Sequence, residues 1–435
     1  SGDENVYTSY AGEGGVPLDN FFKRLAFAIR LADSNVLLSD EITNQTRVQF
    51  HRQITERVRQ ITPFLWLDGD PYLVVWNGRL IWVLDAYTSS SRFPYATPDT
   101  QYGINYVRNA AKITVDAYDG TVTYYIAAPE DPLIQAYAAA FPDLFRPLAE
   151  MPEGLQAHIR YPEDLFTIQT RQYLTYHMQD VRVFYNKEDL RAIPNEIFDN
   201  AQQIMEPYYV TLPLPGETEP EFLLIQPFTP DQKTNMVAWI AARNDPPYYG
   251  QLVEYELPKQ ELVFGPIQVE SRIDQEPEIS QQFSLWDQRG SSVIRGNLIV
   301  IPLGNSFLYV EPVYLLSETS ALPELKRVIV ATNTQIVMRE TLPEALAALV
   351  AEAPAVAQIE VLPEEDAAEE TAVTPQPLPP LDVDASLEEL IQSANDHFTA
   401  AEAAQRTGDW TRYGTELEAL QQDLQRLLEA TQAAP

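Results

Sequence analysis

The 435-residue chain has no cysteine, which excludes disulfides, thiolate metal sites and a cysteine nucleophile, and leaves the redox compartment open. Histidine is scarce as well. His51, His158, His177 and His397 are the only four; none sits at HExxH or another short ligand spacing, and each is expected to bond locally. Neither a GxSxG elbow nor a GxxxxGK[ST] phosphate loop occurs, so hydrolase, zincin and nucleotide-binding readings lose support. No apolar run reaches the roughly 20 residues of a membrane helix, and the opening "SGDENVYTSY" lacks the basic and apolar regions of a signal peptide. These absences lead to the expectation of a soluble segment.

Positive charge is also in short supply. Lys and Arg number 29 against 63 Asp and Glu, a formal charge of -34. Such a balance repels phosphate backbones, so no nucleic-acid partner is expected. The excess is uneven, because no Lys or Arg lies between Arg339 and Arg406. In contrast, Arg47, Arg52, Arg57 and Arg59 cluster near the start, where pairing with the chain's own carboxylates is the expected role rather than capture of a substrate anion.

What is present is 45% hydrophobic residues, ample for sizeable cores. Helical periodicity marks "LDNFFKRLAFAIRLA" and "NQTRVQFHRQITERVRQIT", the latter with a stripe of Phe50, Ile54, Val58 and Ile61. From Phe64 to Ala127 the period changes to two. "DPYLVVWNGRLIWVLD" reads as a hairpin turning at Asn77-Gly78, apolar on both faces and therefore expected to be a covered, central pair. "AAKITVDAYDGTVTYYIAA" reads as a second hairpin, turning at Asp119-Gly120, with Ile113, Val115, Val122 and Tyr124 on one face and Lys112, Thr114 and Asp116 on the other. Helices return after Asp131, including "YPEDLFTIQTRQYLTYHM" from Pro162. Strands resume from Tyr208 to Val337, among them "EFLLIQPF", "ELVFGPIQVESRI", "SSVIRGNLIVIPL" and "SFLYVEPVYLL", with Asn235 to Arg243 as a helix candidate. The fold class is α+β: two mixed, largely antiparallel sheets with flanking helices, plus a C-terminal helical hairpin. The expected segments are 1–130, 131–350, an acidic Pro/Ala/Glu linker over 351–385, and the hairpin over 386–435, capped by Ser386 and Glu389.

Two groups of residues suggest chemistry. Pairing outward from Asn77-Gly78 sets Asp70 opposite Asp85, and directly opposed like charges destabilise a sheet. Either the strands part before that rung or a cation sits there: a lysine, an arginine, or a hard metal such as calcium, with Asp68 as a further ligand. The simpler alternative is that Asp70 is a turn residue before Pro71 while Asp85 bonds backbone amides. Tyr87, Tyr95, Tyr102 and Tyr106 crowd with Phe93 into one Ser, Thr and Pro-rich stretch. Rings beside carboxylates suit sugar faces and hydroxyls, whereas packing of the loop by its own rings is the competing account.

The strings "YAGEGGVPL", "PFLWLDGDPYLVVWNGRLIWVLDAYTSSSRFPY", "NYVRNAAKITVDAYDGTVTYYI", "HIRYPEDLFTIQTRQYLTYHM", "PFTPDQKTNMVAWIAARND", "GPIQVESRIDQEPEISQQFSLWDQRGSSVIRGNLIVIP" and "LYVEPVYL", with the "TGDWTRYG" turn, resemble uncharacterised protein family 0182. That resemblance covers nearly the whole chain. It implies the extracytoplasmic region of a bacterial multi-span membrane protein, with the family's membrane-spanning helices ahead of it as a partner, on the outer face of the cell membrane. It implies no activity and supplies no catalytic residues. The leading expectation is thus a non-enzymatic envelope module that binds a ligand, a glycan or a protein partner. The alternatives are a carboxylate-dependent hydrolase of envelope glycans and a scaffold acting through the C-terminal hairpin.

Overall fold

The computed structural model describes residues 10–258, 262–287, 290–303, 306–317 and 322–351, together with Ser393 and His397. The chain divides into two units, 1–356 and 357–435. The linker and helical hairpin expected beyond residue 351 lie outside the described residues, apart from those two.

Strands β1 (Val16–Pro17) and β2 (Arg47–Val48) pair and bracket helices α1 (Phe21–Leu31) and α2 (Asn35–Leu38). The long helix expected from Asn44 to Thr62 is confined to α3 (Ile54–Ile61). His51 has a φ of 49°, a left-handed conformation that a helix does not admit. Two of the four nearby arginines find carbonyls rather than carboxylates: Arg47 bonds those of Glu13, Gly14 and Gly15, and Arg57 those of Phe50, His51 and Gly120.

A six-stranded sheet follows, built from β3 (Trp66–Leu67), β4 (Tyr72–Trp76), β5 (Arg79–Ser90), β6 (Tyr106–Asp116), β7 (Val122–Ile126) and β8 (Phe145–Pro147), with α4 (Pro132–Ala140) before β8. Its order is β3-β5-β6-β7-β8, and β4 shares the β3 side of β5. The first hairpin keeps the expected register from Trp76↔Arg79 to Tyr72↔Val83. Asn77 and Gly78 both have positive φ, as a type I′ turn demands. The hairpin is not covered on both faces, however. β4 is an edge strand, and on the hairpin's outer face Leu73 and Val75 of β4 and Leu80 of β5 are exposed, Val75 to 71%. In the second hairpin the turn spans Ala117–Gly120, closed by Asp116 N–H donating to the Thr121 carbonyl, with Val115 opposite Val122. Lengthening a turn by two residues preserves the side-chain faces. The polar face is itself buried, including Lys112 and Thr114.

A 3-10 turn (Leu148–Glu150) and helices α5 (Glu153–Gln156), α6 (Glu163–Tyr176) and α7 (Val181–Asn186) lead to β9 (Arg191–Ala192) and the ribbon of β10 (Asn195–Phe198) and β11 (Ala201–Ile204). The strand-rich remainder forms two five-stranded sheets rather than one. The first joins β12 (Tyr208–Pro213), β13 (Pro220–Pro230), β14 (Ala238–Arg243) and β15 (Leu252–Glu256), with β9 on the end of β13. β14 occupies the stretch expected as a helix. All six of its residues are buried, and an apolar run of that length is what a strand covered on both faces requires.

Helices α8 (Pro266–Gln275) and α9 (Pro277–Trp286) precede the second of these sheets, comprising β16 (Ser291–Arg295), β17 (Ile299–Leu303), β18 (Ser306–Ser317), β19 (Glu324–Ala331) and β20 (Ile336–Arg339), followed by α10 (Leu342–Ala351). α8 replaces the strand expected in "ELVFGPIQVESRI". Gly265 caps it, Pro266 fits its first turn, and Val269 and Ile273, four apart, enter the core. One apolar core joins both five-stranded sheets through Trp239, Ile225, Val269, Val293, Tyr309 and Ile329. Within it Arg295 pairs with two fully buried carboxylates, Glu270 of α8 and Glu311 of β18, and with Asp274. α6 covers the other face of the β12–β15 sheet through Phe166, Leu224, Phe228 and Ile240.

Candidate ligand-binding cleft

The two opposed aspartates are resolved by two different cations. Asp85 faces Lys112 in register across β5 and β6, and its Oδ1 lies 2.5 Å from Lys112 Nζ. Asp70 falls before β4 begins, where the strands have parted, and takes Arg160 at 2.5 Å. The Arg160 guanidinium in turn lies between the rings of Tyr72 and Tyr209, 4.0 and 4.4 Å from their centroids.

A bulge completes the Asp85 site. Between Ala86 and Tyr87 the register slips by one residue, so Asn109, opposite Tyr87, shares a face with Lys112 and donates to Asp85 Oδ1 at 2.8 Å. Lys112 also donates to the Tyr249 hydroxyl at 3.0 Å and the Arg160 carbonyl at 3.2 Å. Burial weakens the ammonium's hold on its proton, but the Asp85 carboxylate more than restores it, so Lys112 stays charged. All three of its donors are engaged, and the buried pair is neutral as a unit.

Asp68 lies alongside, accepting from the Tyr87 hydroxyl and from the Asp164 and Asp70 amides. The reciprocal bond from Gly69 N–H to Asp164, 2.8 Å, ties this loop to the start of α6. Asp68, Asp70 and Asp85, the expected calcium set, each take a different partner: Tyr87, Arg160 and Lys112 respectively. Among the described residues no group of three or more His, Asp or Glu is arranged to hold a metal ion. The adjacent Glu163 carboxyl is pushed up to about 7 by burial and by Asp70 and Asp68.

The four tyrosines do not share one surface. Tyr87 is buried, Tyr102 packs on Trp66 at 4.8 Å and donates to Asp164, and Tyr95 is fully exposed. Tyr106 stacks on Phe93 at 5.1 Å and donates to Asp131 at 2.5 Å. Its stretch borders a hollow of about 290 Å³, walled also by Ile104, Arg108 and Ile168. His158 and His177 bond the carbonyls of Gly154 and Tyr173, four residues back in each case, as expected for structural histidines.

Above the Asp85–Lys112 pair opens a cleft of about 630 Å³, within the size range of small-molecule sites. Asn109 and Lys112 form its polar floor. Its walls come from Ala127, Leu148, Ala157, Ile159 and Leu165, with Glu153 and Gln156 beside them, on one side, and from Asn244, Pro246 and Tyr249 on the other. The β6 strand, the α5–α6 connection and the β14–β15 turn thus meet there. Asn244 holds the junction by accepting from Tyr161 N–H and donating to the Ala242 carbonyl at 3.1 Å. Tyr249 does not stand out in the sequence as a partner of Lys112, because no local pattern links positions 137 residues apart.

The pattern of the Uncharacterised protein family (UPF0182) matches residues 1–286. The chain belongs to this family. It is 49% identical to a UPF0182 protein of Desulforamulus reducens, over 98% of this chain and 45% of that protein. A UPF0182 protein of Pelotomaculum thermopropionicum is 48% identical over 98% of this chain and 45% of its own length. One from Trichodesmium erythraeum is 42% identical over 99% and 47%. The chain therefore spans less than half the length of these curated UPF0182 relatives. No solved structure matches it. None of the described helices is long and apolar enough to cross a membrane.

Proposed function

We propose that this chain is the extracytoplasmic, ligand-binding portion of a bacterial envelope membrane protein, and that its ligand occupies the 630 Å³ cleft. The observation that carries the reading is a cleft with largely apolar walls, with Glu153, Gln156 and Asn244 as the polar wall residues, over a floor whose buried charges, Asp85 and Lys112, cancel. Because Lys112 has no donor to spare, an anion gains nothing from it; an uncharged ligand with a large apolar body does. The topological part rests on the family resemblance, and a reporter fused to this segment in a full-length relative, active only outside the cytoplasm, tests it.

The binding part is tested by melting the protein with a neutral long-chain alcohol, the matching fatty acid, and solubilised envelope glycan. A ligand at a hundred times its dissociation constant stabilises by about 2.7 kcal/mol. Stabilisation by the alcohol, abolished in Ala157→Trp, supports the reading. An effect of the fatty acid alone, or a shift that survives Ala157→Trp, defeats it.

A further inference from the structure

α1 carries an apolar stripe that the fold does not use. Its Phe27 and Ala28 are buried with Leu18 and Val36. On the opposite side Phe22 and Ile29 are 79% and 73% exposed; seven residues apart, they lie on one face about 10 Å from each other. Phe21 sits beside Phe22, ring centroids 6.1 Å apart, and α2, packed on α1, adds an exposed Leu38. Lys23 and Arg30 repeat the spacing one position further on, so a basic row flanks the stripe.

Its charge is unlike that of the remaining chain. α1 has three basic residues and no acidic one, in a chain of formal charge -34. Lys23 pairs with Asp19, but Arg24 bonds only the Leu18 carbonyl and Asn44, and Arg30 bonds His51 and lies over the Phe50 ring. Among the described residues neither guanidinium lies within ion-pair distance of a carboxylate, and of the two Arg30 is on the stripe's side of α1.

We infer that this face of α1 docks on an anionic lipid surface. An exposed apolar row alone says that something covers it; the charges say what. A second copy would set the Lys23 and Arg30 row against itself and bring another net negative chain with it. A bilayer supplies both complements, acyl boundary for Phe22 and Ile29 and anionic headgroups for the basic row. The acidic remainder is no bar, since charges beyond about 8 Å are screened at physiological salt. This inference stands independently of the cleft.

The test is sedimentation of the 435-residue chain with vesicles at about 0.15 M salt. Vesicles of phosphatidylcholine with about one-third phosphatidylglycerol are expected to carry the protein down, with roughly tenfold less bound to phosphatidylcholine alone. The Phe22→Ser/Ile29→Ser variant and Arg30→Glu are expected to lose about tenfold each while melting like the parent, because all three side chains are exposed. Absence of binding to the anionic vesicles overturns the inference. So does equal binding by the double variant, or a parent dimer that the double variant converts to monomer, which would make a second copy the occupant.

Discussion

Asp85 and Lys112 face each other on neighbouring strands, both almost wholly buried, with 2.5 Å between their charged atoms. Breaking such a pair from one side leaves an uncompensated buried charge. Lys112→Met is expected to cost about 3–5 kcal/mol in urea denaturation, whereas Asp85→Asn combined with Lys112→Met returns to within about 2 kcal/mol of the parent. If the single and double variants are equally unstable, the pair is not the reason for the loss.

Asp131 gathers four bonds on one carboxylate: the hydroxyls of Thr88 at 2.6 Å and Tyr106 at 2.5 Å, and the amides of Leu133 and Ile134 that begin α4. Burial raises its pKa, but these donors outweigh burial and hold the carboxyl below its usual range. Its stabilisation is therefore complete above pH ~4 and lost as the pH falls through the lowered value. Asp131→Ala is expected to cost about 2–4 kcal/mol at neutral pH and to flatten the acid limb of a stability curve.

Glu311 behaves in the opposite sense. Burial pushes its carboxyl up to about 7 despite Arg295 at 2.5 Å. A folded state that binds the proton more tightly than the unfolded one loses stability as pH rises from about 4.5 through the raised value, then levels off. Glu311→Gln is expected to reduce that slope in chemical denaturation followed between pH 4.5 and 8, with the raised Glu163 carboxyl supplying part of the remainder. A slope identical in the variant would assign the titration elsewhere.

Gly265 caps α8 where a Cβ would stand 1.9 Å from the Thr234 carbonyl oxygen. Its φ of -82° suits any residue, so the restriction is close approach alone. Gly265→Ala is expected to destabilise by about 1–3 kcal/mol through backbone displacement. Gly78→Ala tests the other constraint: nothing lies near its Cβ, but φ is 74°. That substitution is expected to cost about 1–2 kcal/mol.

Local chemistry was legible, and long-range closure was not. Asn77-Gly78 announced its turn, the alternation around Ile113 its faces, and Pro162 the start of α6. Misread stretches shared one feature: composition compatible with two periods. The apolar run of β14 suits a buried helix or strand equally, and the Val and Ile of α8 favour strands until Gly265-Pro266 is recognised as a helix start. Leu73 and Val75 read as covered because apolar residues usually are, yet β4 ends the sheet. At the cleft, Asp85 attracted notice as half of a repulsion. Its partner was visible only as a polar member of another hairpin, and the bulge that turns Asn109 towards it has no sequence signature.

Tyr249 reaches Lys112 from 137 residues downstream. A ribosome adding about 5–20 residues per second needs roughly 7–27 s to cover that distance. During this interval the nascent strand β6 holds a charged lysine whose last hydroxyl partner has yet to be made. The first sheet is thus written early and sealed late, and a transcript cut before the codon for Tyr249 would yield a protein with its polar floor open to water.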